Sequence, residues 1–201
     1  MATVKAIPAY EEMLSTIFQP KQPRGEGQVV LLTSANPGEG VTYITDTMAT
    51  HLGRHSLNKI ACIDARRLRE LDASAEGIVE MCQPSRQKNI FRLIRPRLKP
   101  RGCDLTRVWP DSSSHRQECI QQLRRHFDYV LLDCPSLRTA GDVFSLAPLV
   151  DGVVLVIEAN RTKKEHIQNV TRRIEAARGR LLGHVLNRRV YVVPEWLYAR
   201  L

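Results

Sequence analysis

The feature that most restricts the fold is an unbroken apolar run at 28–34 that leads directly into a glycine-rich loop. A run of this length without polar alternation is typical of a strand buried on both faces of a parallel sheet. After the loop, apolar residues recur at every fourth position, which predicts a helix over 41–53. A further apolar run at 59–64 predicts a second buried strand. Strand, loop, helix and strand in this order form a βαβ unit.

The same alternation continues in the second half of the chain. Apolar runs predict strands over 129–133, 152–158 and 182–187, and a basic helix over 163–178 separates the last two. A serine cap suits the start of another helix over 112–125. Buried strands that alternate with helices indicate an α/β fold, in which a doubly wound, mainly parallel sheet is flanked by helices.

The remaining parts of the chain are less regular. Residues 1–27 predict an N-terminal arm and linker, with a short helical pattern over 10–18 followed by prolines and glycines. The α/β domain is therefore expected over 28–201, a length sufficient for one domain with its own core. In the middle, a helix is expected near 73–81, whereas the proline-broken basic stretch 92–101 is not expected to form a regular helix.

The formal net charge of +9 decides what the surface attracts, because a positive field favours phosphates, anionic lipid surfaces and acidic protein segments. Composition alone does not choose among these partners. No apolar run approaches the roughly 18 residues that a membrane-spanning helix needs. The first residues also lack the continuous apolar segment of a secretory signal. We therefore expect a cytoplasmic protein.

The five cysteines are widely spaced, and none is separated from another by only two residues. This spacing favours neither a disulfide framework nor a zinc site. We expect free thiols, with Cys62 and Cys134 buried.

The loop after the first predicted strand has the composition of a phosphate-binding loop. Such a loop needs glycines that let the backbone curl around phosphates, a lysine that reaches the β- and γ-phosphates, and a hydroxyl for Mg²⁺. Gly38, Glu39, Gly40 and Thr42 supply the glycine-rich segment and the hydroxyl, but Val41 stands at the position of the lysine. Glycines alone are weak support, because ordinary strand-to-helix turns also use them.

Two carboxylates strengthen the prediction of a nucleotide site. Asp64 closes the second predicted strand, and Asp133 closes the strand over 129–133. P-loop proteins place metal-directed acids at this edge of the sheet, so Thr42, Asp64 and Asp133 are the candidate Mg²⁺ ligands and the two acids the candidate catalytic residues. Acids at strand ends also cap turns, which is the alternative role for both.

Four segments resemble the cytoplasmic domain of bacterial tyrosine autokinases of capsule and exopolysaccharide synthesis, within the MinD/ParA-like group of P-loop proteins. These segments are 34–42, 63–65, 127–135 and 147–156, and the end of the chain, 183–198, is similar to exopolysaccharide-associated members. The resemblance implies ATP or ADP with Mg²⁺ as ligands. It also implies an inner-membrane polysaccharide co-polymerase or chain-length protein as the partner.

This chain departs from the family pattern at positions that contact phosphate and metal in the family. The family has a lysine where this chain has Val41. The second acidic motif of the family has two aspartates one residue apart, and this chain retains only Asp64 because Arg66 takes the other position. Segments for assembly and autophosphorylation also differ, at Pro8, Glu11 and Leu14 and in a C-terminus that offers only Tyr191 and Tyr198.

The resemblance and the departures together imply a catalytically degenerate relative. It would act as a regulatory or interaction protein in polysaccharide synthesis or export, peripheral at the inner membrane, and would bind ATP or ADP weakly if at all. Asn187, after the last strand, would either contact adenine as in relatives or serve as a turn residue.

Two alternatives follow from the same residues. In the first, Arg66 replaces the missing lysine, and the protein is an ATP-binding tyrosine kinase or ATPase. In the second, the basic surface binds DNA, as in ParA-like proteins. Aromatic residues make up only 5% of the chain, which argues against single-stranded nucleic acid as a partner.

Overall fold

The computed structural model describes residues 7–18, 26–55, 58–69, 77–93, 113–138 and 142–188. Within these residues the helices are α1 (Ile7–Ile17), α2 (Val41–His55), α3 (Ser113–His126), α4 (Asp142–Leu146) and α5 (Lys164–Ala176). The strands are β1 (Gln28–Ser34), β2 (Ile60–Asp64), β3 (Cys82–Pro84), β4 (Ile90–Leu93), β5 (Tyr129–Asp133), β6 (Gly152–Glu158) and β7 (Leu181–Asn187). Short 3₁₀ helices occupy Ala65–Arg69 and Ala147–Leu149.

The described strands form one sheet in the order β3-β4-β2-β5-β1-β6-β7. Every neighbouring pair is parallel except β3 and β4, which are antiparallel. Leu31 at the centre of β1 pairs with Leu132 of β5 on one side and with Val153 of β6 on the other. The predicted doubly wound, mainly parallel sheet is confirmed.

Side chains of β1 point alternately to the two faces of the sheet, and both faces are covered. Val29 and Leu31 belong to a core cluster with residues of α3, α4 and α5. Val30 and Leu32 belong to a second cluster with residues of α1 and α2. All four side chains have no exposed area, which explains why the strand is apolar without alternation.

Helix α1, from the predicted N-terminal arm, packs against the second of these clusters. Leu14, Ile17 and Phe18 are buried there, and the ring of Phe18 meets that of Tyr129 edge to face at 5.3 Å between centroids. The side-chain amide of Gln28 in β1 donates a hydrogen bond of 2.8 Å to the carbonyl of Ile17. The boundary at residue 27 stays a prediction, but α1 contributes to the core.

The predicted elements agree closely with those observed. Strands β1, β5 and β6 have the predicted bounds, and β2 and β7 differ by one residue at one end. Helices α2, α3 and α5 end within about two residues of their predicted positions. Cys62 and Cys134 are buried free thiols, as expected.

The secondary-structure predictions that differ from the structure concern the middle of the chain. Strands β3 and β4 form an antiparallel pair that the sequence did not predict. The helix expected near 73–81 lies partly outside the described residues. Its described end is a turn closed by a hydrogen bond of 3.1 Å from the Met81 amide to the Gly77 carbonyl. The basic stretch 92–101 is described only at Arg92 and Leu93, which lie in β4.

Among the described residues, no helix combines the length and hydrophobicity required to cross a bilayer.

The burial of Phe18 gives a test of the contribution of α1. The substitution Phe18→Ala removes a ring that is 4% exposed and should lower the free energy of unfolding by about 3 kcal/mol, because it leaves a cavity against Tyr129. Glu11→Ala, at an exposed position of the same helix, should change it by less than about 0.5 kcal/mol. Urea denaturation measures both variants. Equal effects would show that α1 does not pack on the core.

Candidate phosphate-binding site

The loop between β1 and α2 has the curled backbone of a phosphate-binding loop. Gly38 and Gly40 have φ angles of +83° and +92°, in the left-handed region that glycine adopts without strain. A Cβ atom at Gly40 would also lie 2.2 Å from the side-chain nitrogen of Asn187. Glycine at position 40 is therefore required both by conformation and by the close approach of Asn187.

Asn187 at the end of β7 holds this loop in place. Its side-chain amide donates a hydrogen bond of 2.9 Å to the carbonyl of Glu39. The two roles predicted for Asn187 were adenine contact and turn formation, and its observed contact is with the loop itself.

Glu39 lies beneath the loop rather than in the cleft. Its side chain is 1% exposed, and its carboxylate accepts hydrogen bonds from the backbone and side-chain amides of Asn36 at 3.1 and 2.9 Å. The hydroxyl of Thr162, in the loop between β6 and α5, donates a third. Three donors satisfy this buried carboxylate, which ties the two loops together.

Val41 begins α2 at the position where the family has its lysine. Its side chain is 9% exposed and belongs to the apolar cluster formed with α1 and the sheet. Position 41 therefore contributes packing, and it adds no charge to the loop.

The predicted metal-binding residues meet at the carboxyl edge of the sheet. Asp64 and Asp133 are register partners on the adjacent strands β2 and β5. The hydroxyl of Thr42 donates a hydrogen bond of 2.7 Å to Asp133. Burial raises the pKa of Asp133 above its usual range, and the nearby Asp64 charge adds to this, while the bond from Thr42 opposes it.

Asp64 has a partner within its own chain. Arg66 donates from its Nε and Nη2 atoms to the two carboxylate oxygens at 3.0 and 2.9 Å, and its backbone amide donates at 3.1 Å. Burial alone would raise the pKa of Asp64, but the hydrogen bonds and charge of Arg66 lower it overall. Both oxygens that would face a metal are thus engaged by a guanidinium.

These residues line an open cleft of about 460 Å³. Gly38, Gly40, Val41 and Thr42 form one wall, whereas Glu39 does not line the cleft. The residues that line the rest of the cleft are Ser34, Pro37, Tyr43, Asp64, Arg66, Asp133, Cys134, Pro135, Ser136 and Arg188. None of these lining residues is a lysine.

Arg188 was missed by the sequence analysis. It follows Asn187 directly after β7, lines the cleft, and places Nη1 3.3 Å from Glu158 Oε1. Its position one residue beyond a strand end at the same edge of the sheet was the signal that could have identified it. The cleft thus has two arginines, Arg66 and Arg188, at its walls.

The pairing of Asp64 with Arg66 leaves the predicted metal site a poor fit for magnesium. Among the described residues, no group of three or more histidine, cysteine, aspartate or glutamate side chains is placed to hold a metal. Asp133 and Thr42 bond to each other, and Asp64 is paired with Arg66. P-loop proteins hold Mg²⁺ with a hydroxyl and a carboxylate placed like Thr42 and Asp133, so the site departs from that pattern at Asp64.

Other predicted differences from the family fall at the ends of the chain. Glu11 is exposed and Leu14 is buried in the core. The side chain of Pro8, and both Tyr191 and Tyr198, lie outside the part that the structure describes.

The opposite pKa shifts of the two acids predict opposite effects of neutralisation at neutral pH. Asp133→Asn removes an ionised form that burial disfavours, so the free energy of unfolding should rise. Asp64→Asn removes a carboxylate that Arg66 stabilises, so the free energy of unfolding should fall. Urea denaturation of both variants and the wild type at neutral and acidic pH measures these changes.

The direction of each pKa shift determines how the acid changes the free energy of unfolding with pH. The stability that Asp64 contributes is complete above the ordinary aspartate pKa of 3.8 and is lost as the pH falls through its lowered pKa. The ionisation of Asp133 instead costs stability as the pH rises from 3.8 through its raised pKa. A loss of stability in both variants at neutral pH would contradict the asymmetry between the two acids.

The chain is similar in sequence to known bacterial proteins. No protein-family model matches the chain. The tyrosine-protein kinase CpsD of Streptococcus agalactiae is 24% identical over 182 residues, which cover 81% of this chain and 76% of CpsD. The succinoglycan biosynthesis transport protein ExoP of Rhizobium meliloti is 26% identical over 183 residues, 81% of this chain but 22% of ExoP.

Solved structures show the same relationship. The VpsO kinase domain superposes with a TM-score of 0.62 at 25% identity, covering 82% of this chain and 86% of that domain. The cell division protein MinD of Aquifex aeolicus has a TM-score of 0.58 at 18% identity, covering 87% and 73%, and shows the fold. The chain is a homologue of the bacterial tyrosine-protein kinases, with a P-loop fold of the MinD and ParA type.

Proposed function

We propose that this chain is a catalytically degenerate relative of the exopolysaccharide tyrosine kinases and acts as a regulatory or interaction protein in polysaccharide synthesis or export. The observation that supports this most directly is the buried Val41 at the lysine position of the loop. A hydrogen bond to a charged group contributes roughly 1.5–3 kcal/mol, so its loss weakens triphosphate binding about ten- to a hundredfold.

Phosphoryl transfer should suffer more than binding. Transfer depends on positioning and on neutralising the charge that develops between the phosphates. In this cleft the cation at position 41 is gone, and the carboxylate of Asp64 is engaged in three hydrogen bonds by Arg66. ATP or ADP with Mg²⁺ is accordingly a weak ligand in this proposal.

The proposed partner is an inner-membrane polysaccharide co-polymerase or chain-length protein. The similarity to ExoP, a biosynthesis transport protein, supports a partner of that kind. The net charge of +9 supports a location in the cytoplasm at the anionic surface of the inner membrane. Likeness to ParA proteins lies in the fold, so DNA binding is not part of the proposal.

A second candidate function has a specific observation in its favour. Arg66 and Arg188 line the cleft, and either guanidinium could take over the charge of the missing lysine in an ATP-binding kinase or ATPase. Each is paired with a carboxylate, Asp64 for Arg66 and Glu158 for Arg188. A nucleotide would have to compete with these pairs, which favours the degenerate function.

Restoring the lysine distinguishes the two functions. Val41→Lys should raise the affinity for Mg²⁺-ATP at least about tenfold, because it returns a charged hydrogen bond to the phosphates. Val41→Met, with an uncharged chain of similar reach, should leave the affinity near that of the wild type. Calorimetric titration with ATP, with and without Mg²⁺, measures all three proteins.

Tight Mg²⁺-ATP binding by the wild type that Val41→Lys does not improve would contradict the proposal. It would show that another cation already binds the phosphates. Loss of Mg²⁺-ATP binding in Arg66→Gln or in Arg188→Gln would identify the arginine responsible. The wild-type titration gives this answer even if the buried position does not accept lysine.

A further inference from the structure

A second cleft lies behind the phosphate loop, on the side of the sheet covered by α5. Its volume is about 430 Å³, close to the 460 Å³ of the cleft at the glycine loop 38–42, which is called the phosphate cleft below. The cleft is lined by Ala35, Asn36, Leu137, Arg138, His166, Asn169, Val170 and Arg173. Asn36 belongs to the phosphate loop, so that loop forms a wall of each cleft.

The polar lining of this cleft is basic. His166, Asn169 and Arg173 recur at intervals of three and four residues, which places them on one face of α5. Arg138 faces them from the turn after β5. The guanidinium of Arg173 lies 4.5 Å from the centre of the Phe144 ring, and this contact orients it.

The two arginines of this cleft have no carboxylate partner in the part of the chain that the structure describes. Neither Arg138 nor Arg173 forms an ion pair there. By contrast, both arginines of the phosphate cleft are paired. Arg138 and Arg173 are exposed and line the same cleft. Unpaired guanidiniums at a concave site create a positive potential that attracts anions, and their planar fork suits phosphate oxygens.

We propose that the second cleft binds the phosphoryl groups of a small anionic ligand. Arg138 and Arg173 supply the charge, and Asn169 and His166 supply hydrogen bonds from α5. The residues that line this site are different from those that line the phosphate cleft.

A ligand bound in this cleft affects the phosphate loop through the hydrogen bonds of Asn36. The backbone and side-chain amides of Asn36 both donate to Glu39, which lies under the loop and also contacts Thr162 in the loop that leads into α5. A ligand that bonds to α5 and approaches Asn36 therefore acts on both ends of this network. The two clefts should influence each other's affinity reciprocally.

Calorimetric titration with inorganic pyrophosphate tests the site. Arg138→Gln and Arg173→Gln should each weaken binding about tenfold or more, because each removes a charged hydrogen bond to phosphate. Arg172→Gln is the matched control, since this exposed neighbour on α5 does not line the cleft, and it should bind within about twofold of the wild type. Amide chemical shifts across 166–173 should change on titration and locate the ligand.

Two results would overturn the proposal. One is the absence of pyrophosphate binding up to millimolar concentration together with no binding to phosphatidylglycerol vesicles. The other is binding that is unchanged in Arg138→Gln and Arg173→Gln but lost in Arg66→Gln or Arg188→Gln, which would place the anion in the phosphate cleft.

Binding to lipid vesicles shows whether the phosphoryl group belongs to a lipid headgroup or to a ligand free in solution. Phosphatidylglycerol vesicles that bind the wild type and not Arg138→Gln or Arg173→Gln, with phosphatidylcholine vesicles as the blank, would support the site and assign it to a lipid headgroup. Pyrophosphate binding that depends on the same two arginines without vesicle binding would support a ligand free in solution.

Discussion

The parallel pairing of β1 between β5 and β6, with both of its faces buried, is the constraint on which the rest of the structure depends. Because the strands run in the same direction, their carboxyl ends meet at one edge. That edge brings together a glycine loop, two aspartates and the Asn187-Arg188 segment from distant parts of the chain. Helix packing on both faces leaves this edge open, and the phosphate cleft forms there.

The arrangement of charges at that edge is unlike the pattern expected from the tyrosine kinase resemblance. That pattern has a cation in the loop and a second acid beside Asp64, whereas this chain has Val41 in the loop and Arg66 beside Asp64. Compared with that pattern, the loop lacks a cation at position 41, and a cation stands beside Asp64 at position 66. Arg66 then neutralises the carboxylate that would have bound the metal, and a half-buried Asp133 with a raised pKa carries the remaining charge.

Much of the fold could be predicted from the sequence because the strands that build it are buried on both faces. Such strands are continuous apolar runs, and β1, β5 and β6 were predicted to the residue. Strands β3 and β4 could not be predicted, since the former is three residues long and exposed at two of them. The residues of the site were predicted by their place at strand ends, and the same rule would have identified Arg188.

The contacts of those residues could not be predicted. The sequence places Glu39 in a phosphate loop, but only the three-dimensional arrangement shows that its carboxylate is buried under the loop and bonded to Thr162, more than a hundred residues away. Likewise, Arg66 next to Asp64 in sequence allows either a free cation or an ion pair, and the observed bidentate geometry distinguishes them.

We propose that the cleft retains the fold of a phosphate site and has lost catalysis. The most direct test is Mg²⁺-dependent ATP turnover, measured as released phosphate and as tyrosine phosphorylation by mass spectrometry, in the wild type and in Asp133→Asn. We expect the same background rate in both proteins. Turnover by the wild type that requires Mg²⁺ and disappears in Asp133→Asn would contradict it.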